Sequence, residues 1–321
     1  MRLLIFIYII ISLIFNPLKA NSKKDPNSYK DLVDLFVKWR AFENPPLMNG
    51  APDYTKRRFD SAKKEFNSLQ KGLEKIDTTD WPIYYQVDWQ IVHAEMNGYD
   101  FNQRVLRPWV RDPAFYQTVW MYESDVPAHE GPTNHGTLEF WTYKFPLDDE
   151  SSNNLANQLR MIPHFLFQAK GNLTGEARDL WVAGIENFKE QAENLGVIEA
   201  KIIKHHGNSL GRVLNKPLKK AIDANNDFIQ WLVDKAPSKK GPSGIGKENY
   251  SWYQKNVHLV PLSWEEEVSL LQRELDRAWS SLKMEEHLNR NLPPMVSAKT
   301  EKEFDILKEN GVRRLMDFLS E

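Results

Sequence analysis

Residues 59–76 read Phe-Asp-Ser-Ala-Lys-Lys-Glu-Phe-Asn-Ser-Leu-Gln-Lys-Gly-Leu-Glu-Lys-Ile. Phe59, Ala62, Phe66, Leu69, Leu73 and Ile76 recur at alternating steps of three and four. That spacing puts them on one narrow seam of a helix and leaves the lysines on the other faces. The seam is too short to demand a free coiled coil, which needs several sustained heptads. It predicts a helix buried among other helices. Each large seam side chain then contributes about 1.5–3 kcal/mol before chain entropy is set against it.

The same periodicity extends in both directions. Upstream, Leu32, Leu35, Phe36 and Trp39 predict a helix that Asn44-Pro45-Pro46 ends, because proline cannot continue the ladder and restricts the residue before it. Asn49 to Pro52 reads as a loop. Downstream, a helix starts near Pro82, carries Tyr84, Val87, Ile91, Val92 and Met96, and is expected to stop at Gly98. Residues 101–146 hold Pro108, Pro113, Pro127, Pro132 and Pro146 with aromatics between them. They predict a long irregular excursion with a short strand at Leu138 to Tyr143. Helical patterning returns over 154–170, with a break expected at Pro163. Separate helices are expected over 176–195, with Thr174 as N-cap, and over 197–214 and 216–234. The Gly/Ser/Pro-rich residues 238–246 are a surface loop. Ser263 with Glu266, and Thr300 with Glu303, form capping-box patterns before two last helices. The first of these carries Trp264, Val268, Leu271, Leu275, Ala278 and Leu282. No repeat of fixed period occurs. The fold class is all-α with one proline-rich irregular segment.

The chain opens with Met1-Arg2, an apolar run from Leu3 to Phe15, and a small residue at Ala20. This is the layout of a secretory signal peptide, with cleavage expected between Ala20 and Asn21. The run is shorter than the roughly 20 residues a spanning helix needs. Residues 21–321 would then be exported, to the periplasm or beyond the cell, with no membrane attachment after cleavage; the alternative is an uncleaved segment retained as an anchor. Removing Arg2 and Lys19 leaves 40 basic against 44 acidic residues. The basic excess that nucleic-acid binding requires is missing. There are no cysteines, so neither disulfides nor thiol catalysis contributes. Eleven tryptophans are expected to pack the core rather than line a sugar groove, since most fall on apolar stripes.

Chemistry is hard to assemble from this sequence. A helical zinc motif needs two histidines four residues apart with a glutamate beside the first. No pair has that spacing. His129 and His135 are six apart across Gly131-Pro132, and His205 and His206 point about 100° apart on a helix. There is no Gly-x-Ser-x-Gly elbow, and Gly244-Ile245-Gly246-Lys247 is too short for a phosphate loop.

Several stretches, taken in order, resemble the bacterial domain-of-unknown-function 885 family. They are Val87-Asp88-Trp89-Gln90-Ile91-Val92-His93-Ala94-Glu95-Met96-Asn97-Gly98 and Arg104-Val105-Leu106-Arg107-Pro108-Trp109-Val110-Arg111-Asp112-Pro113-Ala114-Phe115-Tyr116. Further on come Phe145-Pro146-Leu147, Leu159 to Pro163, Gln168 to Leu173, Gly246 to Tyr250 and Leu262 to Glu267. The resemblance implies a zincin-like helical fold and metal-assisted hydrolysis of peptides. The family's His-Glu-x-x-Pro-Gly-His-type zinc motif belongs to a C-terminal half that this sequence does not contain. No metal or catalytic residue is therefore carried over. Zinc is expected only in a longer form, and a peptide substrate only together with the missing half. Arg107, Trp109, Arg111, Asp112 and Tyr116 are the candidate groove residues, since arginine offers a planar fork to a carboxylate. Their structural alternative is a buried ion-pair network that pins the excursion to the helices. Two other functions stay open: a stand-alone exported binding or scaffold domain, and a helical glycosidase.

Overall fold

A computed structural model describes residues 28–123, 135–207, 211–292 and 297–320. The expected signal segment with Ala20 and Asn21, together with Pro127, His129 and Pro132, lies outside them. The chain divides into two compact units, one ending at Trp264 and the other running from Glu265 to Glu321. Both are helical, as the periodicity predicted. Among the described residues, no helix is long and apolar enough to cross a membrane.

The first unit begins with three helices: α1 (Tyr29–Glu43), α2 (Lys56–Glu74) and α3 (Ile83–Phe101). Ser28 and Asp31 close a capping box at the start of α1. Thr55 caps α2 by accepting from Arg58 N. The seam of α2 is buried as its spacing required, with Ala62, Phe66, Leu73 and the following Ile76 packed against Leu32, Trp39 and Phe42 of α1 and Val92 and Met96 of α3. Between α1 and α2, residues 49–52 form more than a loop. Asn49 and Gly50 both take positive φ (54° and 83°), and strands β1 (Leu47–Met48) and β2 (Ala51–Pro52) pair across them. Asn-Gly is the dipeptide that a two-residue hairpin favours, because both central residues must be left-handed.

A second, larger core is built on α5 (Asp149–Asn172), α6 (Arg178–His206) and α7 (Lys216–Lys235). Here the structure departs from two expected breaks. Helix α5 runs straight through Pro163. A proline costs a helix interior roughly 3 kcal/mol. The surrounding Leu159, Ile162, Phe165 and Leu166 are all buried, and at about 1.5–3 kcal/mol apiece their burial outweighs it. Helix α6 likewise runs on across Gly196, because Leu195, Ile198 and Ile202 continue one buried stripe past it. A side chain at Gly196 would meet nothing within 4 Å. Gly196→Ala is therefore expected to stabilise the chain by about 0.5–1 kcal/mol, read as a higher urea midpoint; a lower midpoint would show that the helix is not continuous there.

Two further corrections concern element ends. Gly98 lies inside α3, not at its end, and a Cβ there would come within 3.3 Å of Val257 Cγ1. Thr174 does not cap α6; Ala177 holds the cap position without a side-chain bond. Partners from a distant loop replace it: Arg178 N donates to Gly241 O (3.1 Å) and Asp179 N to Ser243 Oγ (2.8 Å). Tertiary contact satisfies the orphan amides that a local cap would have served.

The proline-rich excursion is ordered wherever it is described. A π-helical turn (Asn102–Leu106) leads into α4 (Pro108–Arg111), and a 3-10 turn follows (Pro113–Tyr116). Helix α6 crosses this turn closely; a Cβ on Gly184 would lie 2.7 Å from Pro113 Cβ. The expected strand at Leu138–Tyr143 is shorter than predicted. Only β4 (Leu138–Glu139) pairs, in parallel with β3 (Val119–Trp120), and Phe140–Thr142 turns into a 3-10 helix. Strand β3 is anchored by a side chain instead of a wider sheet. Gln191 Oε1 accepts from Thr118 N (2.6 Å) and Val119 N (3.0 Å), while its Nε2 donates to Asn225 Oδ1 (2.8 Å).

After α7, helix α8 (Lys247–Asn256) returns to the first core, stacking Trp252 on Phe101 at 5.4 Å. Helix α9 (Trp264–Leu288) starts where Trp264 N donates to Ser251 Oγ. Helix α10 (Glu301–Ser320) starts where its pattern predicted, with Glu303 N donating to Thr300 Oγ1, but the Glu303 carboxylate accepts from Lys299 N instead of the Thr300 amide. Neither α9 nor α10 has a buried residue.

Candidate functional site: an aromatic cleft

Of the five groove residues expected from sequence, one reaches a cavity. Arg107 sits at a left-handed position (φ 44°) with its side chain exposed. Arg111 does not join an ion-pair network. Its guanidinium reaches across to backbone carbonyls of the 238–246 loop, with Nη2 at 2.9 Å from Ser243 O and 3.2 Å from Pro242 O. Asp112 accepts from Ala114 N and so caps the 3-10 turn. Tyr116 is fully buried, donates to Trp109 O (2.8 Å) and accepts from Asn172 Nδ2 (2.9 Å). These groups hold the excursion in place, but through carbonyls and caps rather than the charge pairs anticipated.

Burial pushes the Asp112 carboxyl above its ordinary range, against the opposing pull of the Ala114 amide and Arg111. The folded chain thus binds this proton more tightly than the unfolded chain does. The stability tied to the proton is complete below the ordinary value of 3.8 and is lost as the pH rises through the raised one. Asp112→Asn keeps the acceptor for Ala114 N and removes the charge. Its stability is expected to equal or exceed the parent's at neutral pH and to fall behind as the pH drops towards 3, read from urea midpoints across pH. A variant much weaker than the parent at pH 7 would contradict this.

The cavity is a cleft of about 560 Å³ in the first unit, walled by α1, α2, α3, the π-helical turn and the end of α8. Trp109 enters it stacked on Phe59 (4.1 Å, 24°). Tyr54 stands edge-on to Phe115 at 5.0 Å. Tyr99 and Phe42 join from the smaller core, 5.4 Å apart. Each ring comes from a different element, so the cleft exists only once both cores have packed. The other tryptophans follow the packing expectation only in part: Trp39 and Trp181 are buried, while Trp120 and Trp279 are exposed.

Polar groups in the cleft fall into two sets. On one side Arg40, just behind the wall, bridges Glu43 and Glu95 at 2.8 Å each, and Trp39 Nε1 donates to the second oxygen of Glu95. Those carboxylates are matched. On the other side stands Arg58, half-buried, its guanidinium 5.7 Å from the Phe42 ring centroid. Among the described residues no carboxylate lies within ion-pair distance of it. Burial raises the Tyr99 hydroxyl to about 12 against the opposing charge of Arg58, and burial raises Tyr54 as well, although His135 N bonds its oxygen. Both phenols stay protonated and act as neutral hydrogen-bond partners, not as bases. Asn102 Oδ1, in the π-helical turn, is buried without a partner.

Sequence reasoning missed Arg58, although a signal was present. It precedes Ala62 by four residues and so shares a helix face with the start of the apolar seam. His93, by contrast, lies off the cleft, stacked on Trp89 at 5.0 Å with Asn97 beside it. Among the described residues no group of three or more His, Asp or Glu side chains is placed to hold a metal ion. In comparisons with protein-family models, curated proteins and solved structures, nothing matches the chain.

Proposed function

We propose that this chain forms the helical wall of the substrate groove in an exported zinc-metallopeptidase-like hydrolase and hydrolyses nothing by itself. One observation carries the proposal. Helices α9 and α10 are amphipathic, yet Leu271, Leu275, Trp279, Phe304, Leu315 and Phe318 are all more than half exposed. Apolar surface left in water forgoes about 25 cal/mol per Å², and exposed apolar stripes along a helix mark interaction faces. They fit a chain whose neighbour in a larger fold covers them. The ordered motifs between Val87 and Glu267 supply the zincin-like class by resemblance. The described residues offer zinc no ligand set, so no hydrolytic step is assigned to them.

The test is to read the coding DNA beyond Glu321 and to express whatever frame it encodes. The longer product is expected to bind one zinc and cleave peptides, and the 321-residue chain to do neither. Stoichiometric zinc with peptide cleavage in the chain alone would overturn the proposal. A stand-alone exported binding domain is the second reading, favoured by a cleft that lies wholly within the first unit. A stop codon after Glu321, with a monodisperse monomer that melts in one cooperative step, would decide for it.

A further inference from the structure

We infer that the aromatic cleft binds a carboxylate carried on an apolar body, with Arg58 as the residue that grips it. The substrate class this names is a peptide presenting a hydrophobic C-terminal residue. It deepens the groove-wall reading and rests on it only for the word substrate; the binding itself belongs to this chain.

The cleft carboxylates Glu43 and Glu95 already share Arg40. Asp53, also in the wall, accepts from Thr55 N at 2.9 Å. Arg58 is the cleft-lining cation, and among the described residues no carboxylate lies within ion-pair distance of it. A half-buried guanidinium has lost part of its hydration, and its five N–H donors form a fixed fork that matches a carboxylate. Its Cζ lies over the face of the Phe42 ring, 5.7 Å from the centroid. With no carboxylate at ion-pair distance among the described residues, its N–H donors are open to one from a ligand.

The walls then set the rest of the ligand. Phe59, Trp109, Phe115 and Tyr99 line the same cleft as Arg58 with aromatic surface. A volume of about 560 Å³ falls within the range of small-molecule pockets and suits one large side chain with its neighbouring peptide unit. Tyr99, held protonated beside Arg58, adds a neutral hydroxyl donor. Two cleft carboxylates, Glu43 and Glu95, share the single charge of Arg40 and so disfavour a second negative charge on the ligand. This excludes polyanions such as phosphoesters and leaves monocarboxylates. The role that the sequence suggested for Arg107 and Arg111 thus passes to an arginine on another helix.

The experiment titrates the intact chain with N-acetyl-phenylalanine and, separately, with its amide, following tryptophan fluorescence. N-acetyl-alanyl-alanyl-phenylalanine serves as the peptide arm. The acids are expected to bind roughly tenfold or more tightly than the amide, the range of a charged hydrogen-bonded pair. Arg58→Gln is expected to erase that preference while leaving amide binding within about twofold, and Arg58→Lys to keep part of it. If the peptide binds no better than the single residue, the ligand is a free aromatic acid, and the C-terminal peptide assignment fails. Equal binding of acid and amide, binding of neither, or a preference that survives Arg58→Gln overturns the inference. Far-UV circular dichroism of each variant confirms that it has folded. None of these outcomes depends on zinc, so the hydrolase proposal and this one stand or fall separately.

Discussion

Gln191→Leu is expected to destabilise the first unit by about 3–5 kcal/mol. Leucine fills nearly the same volume, so packing changes little and the loss falls on hydrogen bonds. The Gln191 side chain is fully buried and accepts from two consecutive backbone amides, Thr118 and Val119. Strand β3 is only two residues long and its one partner strand is equally short, so no sheet ladder can take over these donors. Each buried donor left without a partner costs about 1–3 kcal/mol, and Asn225 Oδ1 loses its donor as well. A urea titration should show a lower midpoint at unchanged slope. The double variant Gln191→Leu/Asn225→Leu should lose less than the two single losses added, because the pair acts as one network. A Gln191→Leu chain with the parent's midpoint would show that the network is not what holds β3.

Trp39→Ala is expected to cost a similar amount, about 3–5 kcal/mol. Trp39 is fully buried at the centre of the smaller core, edge-on to Tyr99 at 5.4 Å and 6.0 Å from Phe66. Three helices meet on this ring, so its removal leaves a cavity that no single helix can close by shifting. Trp39→Phe keeps most of the apolar area and loses the Nε1 bond to Glu95. It should therefore cost less, near the roughly 1.5–3 kcal/mol of one hydrogen bond to a charged group with only a small void. Thermal melts of both variants check the order. Because Tyr99 and Glu95 also line the cleft, Trp39→Ala should loosen ligand binding as well as the fold. A smaller loss from alanine than from phenylalanine would contradict the packing described.

The site was less legible than the fold, for a physical reason visible in particular residues. Trp109 was singled out from the sequence and does line the cleft. Arg111 and Asp112 stood beside it in the same motif, yet one grips loop carbonyls and the other caps a turn. Neighbours in sequence diverged because an irregular segment sends successive side chains in unrelated directions. Arg58, fifty residues away on a regular helix, met Trp109 only through its neighbour Phe59, on which the indole stacks. Nothing in local spacing ties residues 58 and 109 together.

What the sequence by itself determined was the helical nature of the chain and the seam that α2 buries, because a three/four apolar spacing makes a helix the conformation that collects those side chains on one face. It also fixed where some helices begin and end, through Pro45 and Thr300, whose effects act within a few bonds. Only the tertiary structure decided that Pro163 and Gly196 would not break their helices, that distant Gly241 and Ser243 would cap α6, and that rings from separate elements would line one cleft together with Arg58. Those outcomes follow from buried area and from partners supplied across the fold, quantities that exist only after the helices have met.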